Sequence, residues 1–162
     1  MRGMFSCVSA FVNAVNKCKG HDIMKRQTRS EAREILFSNI FRFDDMTDID
    51  EAISELFEDN PECLINREYI EKVLRGVYEN ADELDETITL KLKKSWTLSR
   101  ISKTSHVILK LAIYEMKYID DVPPRVAINE AVELAKKYGT ESDAPFVNGL
   151  LGSVYKDVEG AK

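Results

Sequence analysis

Three features of the sequence predict an all-α fold. Apolar residues recur at helical spacing from residue 28 almost to the end, and no segment alternates with period two. With 7 Gly and 4 Pro among 162 residues, the chain is too poor in turn formers for a β-sandwich. The pattern divides into about seven short-to-medium helices, which read as one compact bundle. A chain of this length buries roughly 70% of its unfolded surface, so it needs neither a disulfide nor a metal to fold.

Residues 1–23 stand apart. An apolar stretch from Met4 to Val15 is broken by Ser6, Ser9 and Asn13 and followed by Lys17 and Lys19. It imitates a secretory leader only weakly, because no small-x-small cleavage site closes it. We read 1–23 as an appended or mis-started leader, with Met24 as an alternative start and the domain running over 24–158. Residues 159–162 form a tail.

The first helix opens with a capping box, Thr28 with Glu31 three residues on. Ala32, Ile35, Leu36, Ile40 and Phe43 mark its buried stripe. Asp48 or Asp50 caps the next helix, whose apolar face is Ile49, Ala52, Ile53, Leu56 and Phe57, and Asn60-Pro61 breaks it. Asn66 is placed to cap a segment over 67–93, read as one long helix or two with a bend. Gly76 inside it costs about 1 kcal/mol relative to Ala, which points to a close helix neighbour.

Residues 104–119 are apolar around much of the circumference and predict the central buried helix. Pro123-Pro124 separates it from a helix over 125–138 that Gly139 stops. There Ala127, Ala131 and Ala135 invite close packing, and Asn129 and Glu130 need partners at helix ends or loop amides. Ser142 or Asp143 caps the last helix, with Pro145 in its first turn and Phe146, Val147, Leu150, Leu151 and Val154 as its stripe. Gly149 and Gly152 suggest a neighbouring backbone close by, and Asn148 is expected to bond like Asn129.

Charge is segregated beneath a net charge of −5. Residues 44–62 hold nine acids, including Asp44 and Asp45, and no base. Residues 91–103 hold five bases and no acid, around Trp96. Arg26, Arg29 and Arg33, spaced i, i+3, i+7, share one helix face, which we expect to lie opposite much of the buried stripe. Basic groups interleaved with an aromatic ring suit single-stranded nucleic acid, whose phosphates need neutralising and whose bases stack. Such runs also occur as plain solvated surface, Trp96 also fits a core or hinge position, and the acidic belt also serves solubility.

Catalytic chemistry finds no foothold. There is no glycine-rich phosphate loop, no HExxH and no nucleophile elbow. Cys7, Cys18 and Cys63 form neither a disulfide framework nor a metal-ligand spacing, so no metal and no cofactor are expected. His106 reads as a capping or packing residue. The cysteine usage fits a reducing cytoplasm, and no apolar run approaches the ~20 residues of a membrane span.

The C-terminal half carries a resemblance. Ile108–Met116 (ILKLAIYEM), Asp121–Pro124 (DVPP), Val126–Gly139 (VAINEAVELAKKYG) and Phe146–Leu151 (FVNGLL), with Arg29-Ser30-Glu31-Ala32-Arg33 upstream, resemble the NusB family of transcription antitermination factors over about 24–158. The resemblance implies two packed helical subdomains and a non-catalytic protein that binds boxA RNA. It implies ribosomal protein NusE as co-partner and an RNA polymerase antitermination complex as the setting. RNA contacts would fall on Arg26, Arg29, Arg33, Lys136, Lys137 and Tyr138, with the loop from Thr140 to Asp143 in the same neighbourhood, and the NusE contact near Phe41, Ser105 and His106. The family includes monomers and dimers, so a homodimer is compatible. The alternative is a helical protein–protein adaptor without RNA binding.

Overall fold

The computed structural model describes residues 27–42 and 48–160. The expectations for the leader, Met24, Arg26, Phe43, Asp44 and Asp45 lie outside the described residues. Among those described, seven α-helices and two short 3-10 turns follow one another without a strand.

Helix α1 (Arg29–Arg42) begins as its sequence dictates. The Thr28 amide donates to the Glu31 carboxylate at 2.7 Å, and the Glu31 amide donates to Thr28 Oγ1 at 3.1 Å. Asp48 is the cap of α2 (Ile49–Asp59), accepting from the amides of Asp50 and Glu51. Pro61 cannot continue that helix and instead starts a 3-10 turn, Pro61–Asn66.

Asn66 marks the start of α3 (Arg67–Glu79) without capping it. Its side-chain amide donates instead to the backbone and side-chain oxygens of Gln27, tying the chain before α1 to this turn. The 67–93 segment is two helices. Asn80 closes α3, with its side chain donating to the Gly76 carbonyl at 2.7 Å, and α4 (Ala81–Lys91) follows. The close neighbour of Gly76 is Tyr114: a Cβ on Gly76 would lie 1.9 Å from the tyrosine oxygen.

Helix α5 (Lys103–Tyr118) is the centre. Ser102 caps it by accepting from the Ser105 amide at 3.0 Å. It buries Ile108, Leu109, Leu111, Ile113 and Met116 on several sides, and α1, α3, α4, α6 and α7 all pack on it. Each such large side chain contributes about 1.5–3 kcal/mol on burial.

Helices α6 (Pro124–Tyr138) and α7 (Asp143–Gly160) complete the bundle. Ala127, Ala131 and Ala135 are buried as their size suggested. Glu130 finds partners in Ser30 and Arg33, while Asn129 and Asn148 face solvent. Gly139 ends α6 with φ −101°, so the left-handed cap is not used. Its need for glycine is steric, since a Cβ would lie 2.7 Å from the Ala135 carbonyl oxygen and 2.8 Å from the Asp143 side chain. Gly149 and Gly152 have no neighbour within 4 Å of such a Cβ, contrary to the sequence reading, because α7 packs through Val147, Leu150, Leu151 and Val154 instead. One hydrophobic core joins the helices, and no helix among the described residues is long and apolar enough to cross a membrane.

Candidate nucleic-acid interface

The basic run begins where α4 ends. Leu92 takes an extended backbone (φ −70°, ψ 151°), and the chain crosses to α5 through a 3-10 turn, Leu98–Arg100. Lys91 is held by Asp157 of α7, while Lys93, Lys94 and Arg100 stand in solvent. Trp96 is not a core residue: it is 44% exposed. One face of its indole is stacked on Phe146 of α7, with centroids 5.8 Å apart and planes 24° apart. An aromatic pair half open to water among three cations offers a flat surface to a base and charge to its phosphates.

The neighbouring elements bring most of the other sequence-derived candidates to this end of the bundle. Lys103 lies over the Phe41 ring at 4.7 Å, so the end of α1 meets the start of α5. Phe41 packs on Phe37, and Phe37 stacks on Tyr138 with centroids 5.2 Å apart. The Tyr138 hydroxyl and Lys137 Nζ both donate to Glu34, at 3.1 and 2.6 Å. The Glu34 hydrogen bond raises the Lys137 pKa, and burial raises that of the Tyr138 phenol, so both keep their protons at neutral pH. Lys136 is exposed beside Glu133.

Two of the proposed partner contacts are placed differently. Ser105 is fully buried, and its hydroxyl donates to Asp143 at 2.6 Å. That bond consumes it inside the fold, so it presents nothing to a partner. His106 is half-buried, its Nε2 2.5 Å from Asp85, which Lys110 also approaches at 3.1 Å. Phe41 keeps partial exposure.

The arginine element departs furthest from expectation. Arg33 is 3% exposed and points into the bundle. Its Nε donates to both Glu115 oxygens, at 2.9 and 3.1 Å, and a terminal nitrogen lies 3.5 Å from Glu130. Tyr69 donates to Glu115 at 2.5 Å. Burial pushes the Glu115 carboxyl above its ordinary range, against the pull of Arg33 and the tyrosine hydrogen bond. Arg29 is on nearly the same helix face, about 40° around the axis, but one turn nearer the helix start. It stays partly exposed over the Tyr69 ring, at 4.2 Å, and bonds Asp121 at 3.1 Å. The two arginines line an opening of about 370 Å³ with Asp121 and Glu130. Carboxylates match the positive charge there, so this face is not the open cationic anchor that the spacing predicts.

Phe146 is the residue sequence reading missed as a site component, while Asp143 was read as a helix cap and as the end of the loop beside the RNA contacts. Phe146 was legible only as part of a buried stripe, and its pairing with Trp96 spans 50 positions. Among the described residues, no three His, Cys, Asp or Glu side chains gather as a metal site.

Comparison with known proteins adds a family. The model of the NusB family matches residues 26–156. The transcription antitermination protein NusB of Acetivibrio thermocellus is 47% identical over 129 residues, covering 79% of this chain and 88% of its own length. The structure of T. maritima NusB superposes with a TM-score of 0.69 at 31% identity, over 81% of this chain and 92% of that one. A chain from a complex of antitermination factors NusB and NusE with double-stranded RNA superposes with a TM-score of 0.67 at 25% identity, over 83% of this chain and 99% of that one.

Proposed function

Because this chain belongs to the NusB family, we propose that it is a non-catalytic, RNA-binding transcription antitermination factor. It binds boxA RNA together with ribosomal protein NusE in the cytoplasm and joins the antitermination complex on RNA polymerase, promoting read-through of rRNA operons. The observation that carries the RNA-binding reading is the half-open Trp96–Phe146 stack set among Lys93, Lys94 and Arg100. Lys136, Lys137, Tyr138 and Phe41 extend the same end of the bundle, and Arg29 supplies a secondary contact at the other end of α1. Arg33 acts as a structural residue.

A chain with net charge −5 does not hold RNA by its overall field. Attraction has to be local, through a few cations close to phosphates, with stacking adding affinity that salt does not screen. The exposed carboxylates of α2, among them Glu51, Glu55, Glu58 and Asp59, repel a transcript from their face.

A gel-shift assay with boxA RNA and a scrambled RNA of equal composition, each with and without NusE, tests the proposal. Tighter binding of boxA in the presence of NusE supports it. Equal binding of the two RNAs contradicts it, and no RNA binding at all returns the chain to a protein–protein adaptor.

A further inference from the structure

Asp143 opens α7, yet its side chain is turned inward and only 8% of the residue is exposed. Its two carboxylate oxygens face different parts of the chain. Oδ1 accepts from the Ser105 hydroxyl at 2.6 Å and the Ser102 hydroxyl at 2.9 Å. Oδ2 accepts from the Thr140 amide at 2.7 Å and the Thr140 hydroxyl at 2.9 Å. One carboxylate thus joins the N-terminus of α5, the loop after α6 and the first turn of α7. Gly139 makes room for it, since a Cβ there would lie 2.8 Å from Asp143 Cβ and from Oδ2.

The two rings of the exposed stack hang from the two sides of this junction. Phe146 is three residues after Asp143 on α7, and Trp96 is six residues before Ser102. Bonds within the segment shape it, such as the Trp96 amide to the Lys93 carbonyl at 2.8 Å, and half-buried Leu98 and Ile101 pack it on the core, while the Ser102–Asp143 bond ties its end to α7.

We propose that Asp143 is a positioning residue that holds Phe146 of α7 against Trp96 of the 92–102 segment and so sets the base-stacking surface. The inference rests on the RNA-binding reading above. Asp143 itself touches no RNA. It acts by fixing which two rings meet and how much of the indole is left open.

Trp96 is the single tryptophan of the chain, so its emission reports on the stack alone. The experiment uses the full chain, compares Asp143→Asn, Phe146→Ala and Trp96→Ala with the parent, and reads three signals. These are tryptophan emission with acrylamide quenching, affinity for a single-stranded boxA oligonucleotide, and far-UV circular dichroism. An asparagine keeps the size, but its oxygen must face the Thr140 donors, so its NH2 group meets the serine hydroxyls, which turn from donors to acceptors, and the charge-assisted bonds to the start of α5 are lost.

Asp143→Asn is expected to red-shift the emission and raise quenching to the level seen in Phe146→Ala. It is expected to weaken RNA binding about tenfold, within the range of one lost stacking contact, with the helical signal intact. Should that variant lose its helical signal, Ser102→Ala and Ser105→Ala together remove only the α5 side of the junction and are expected to shift the emission in the same direction. The two ways of failing are separable. Trp96→Ala binding RNA as tightly as the parent overturns the stacking reading and the role of Asp143 with it. Trp96→Ala weakened, with folded Asp143→Asn unchanged in emission and affinity, overturns the role of Asp143 alone.

Discussion

Arg33 and Glu115 form an ion pair inside the bundle, the guanidinium Nε donating to both carboxylate oxygens at 2.9 and 3.1 Å across 82 positions of sequence. Removing one partner strands the other charge away from water. Arg33→Ala is therefore expected to cost about 3–5 kcal/mol in urea unfolding. Arg29→Ala, at an exposed pair with Asp121, is expected to cost less than about 1 kcal/mol. Equal small effects would show that the interior pair carries no structural weight.

The contact of Gly76 with Tyr114 gives an expectation of opposite sign to helix propensity. Alanine is the better helix former by about 1 kcal/mol. Its Cβ would lie 1.9–2.4 Å from the end of a buried ring, so Gly76→Ala is expected to destabilise by about 1–3 kcal/mol. Thermal melts of a double-mutant cycle check it: in a Tyr114→Ala background the same change becomes neutral or stabilising. A cost that persists there points to some other cause.

The Asp143 junction predicts a pH dependence of stability. Burial pushes its carboxyl upward, but hydrogen bonds from Ser105, the Thr140 amide, Ser102 and the Thr140 hydroxyl outweigh it and hold the carboxyl below its ordinary value. A carboxyl lowered on folding stabilises fully above the unfolded pKa of about 3.9 and loses that contribution as pH falls through the folded value. The stability gap between the parent and Asp143→Asn is thus expected to be constant near neutrality and to shrink below about pH 4. Urea titrations at several pH values measure it, and a gap that widens on acidification would reverse the sign.

Lys93 and Lys94 are expected to act on RNA through charge alone. Replacing both with alanine should lower the slope of log affinity against log salt by about 1.4, as for two phosphate contacts on a single strand. Anisotropy titrations over a range of potassium chloride concentrations check this. An unchanged slope would place the RNA elsewhere.

The sequence made local features legible and left distant ones hidden. Thr28 with Glu31 was readable because a capping box closes within three residues, and the Gly76 contact because glycine in a helix interior has a cost that needs a reason. The split at Asn80 could be foreseen only as a bend. Arg33 misled because helical spacing gives a face and not a depth, and its partner Glu115 lies on another helix. The arginine run resembled a cationic anchor in one dimension, while in three dimensions Asp121, Glu115 and Glu130 neutralise it. Trp96 and Phe146 showed the reverse. Phe146 read as a core residue and Trp96 as either a base-stacking ring or a core residue, and only the crossing from α4 to α5 against α7 turns them into an exposed pair.

The affinity of a boxA oligonucleotide for Trp96→Ala, measured by fluorescence anisotropy in the presence of NusE, bears most directly on where the RNA is held. Loss of one stacked base should weaken binding by about 5- to 150-fold, with the melting temperature unchanged because the indole is half exposed. Binding as tight as that of the parent would mean that the transcript does not touch this end of the bundle.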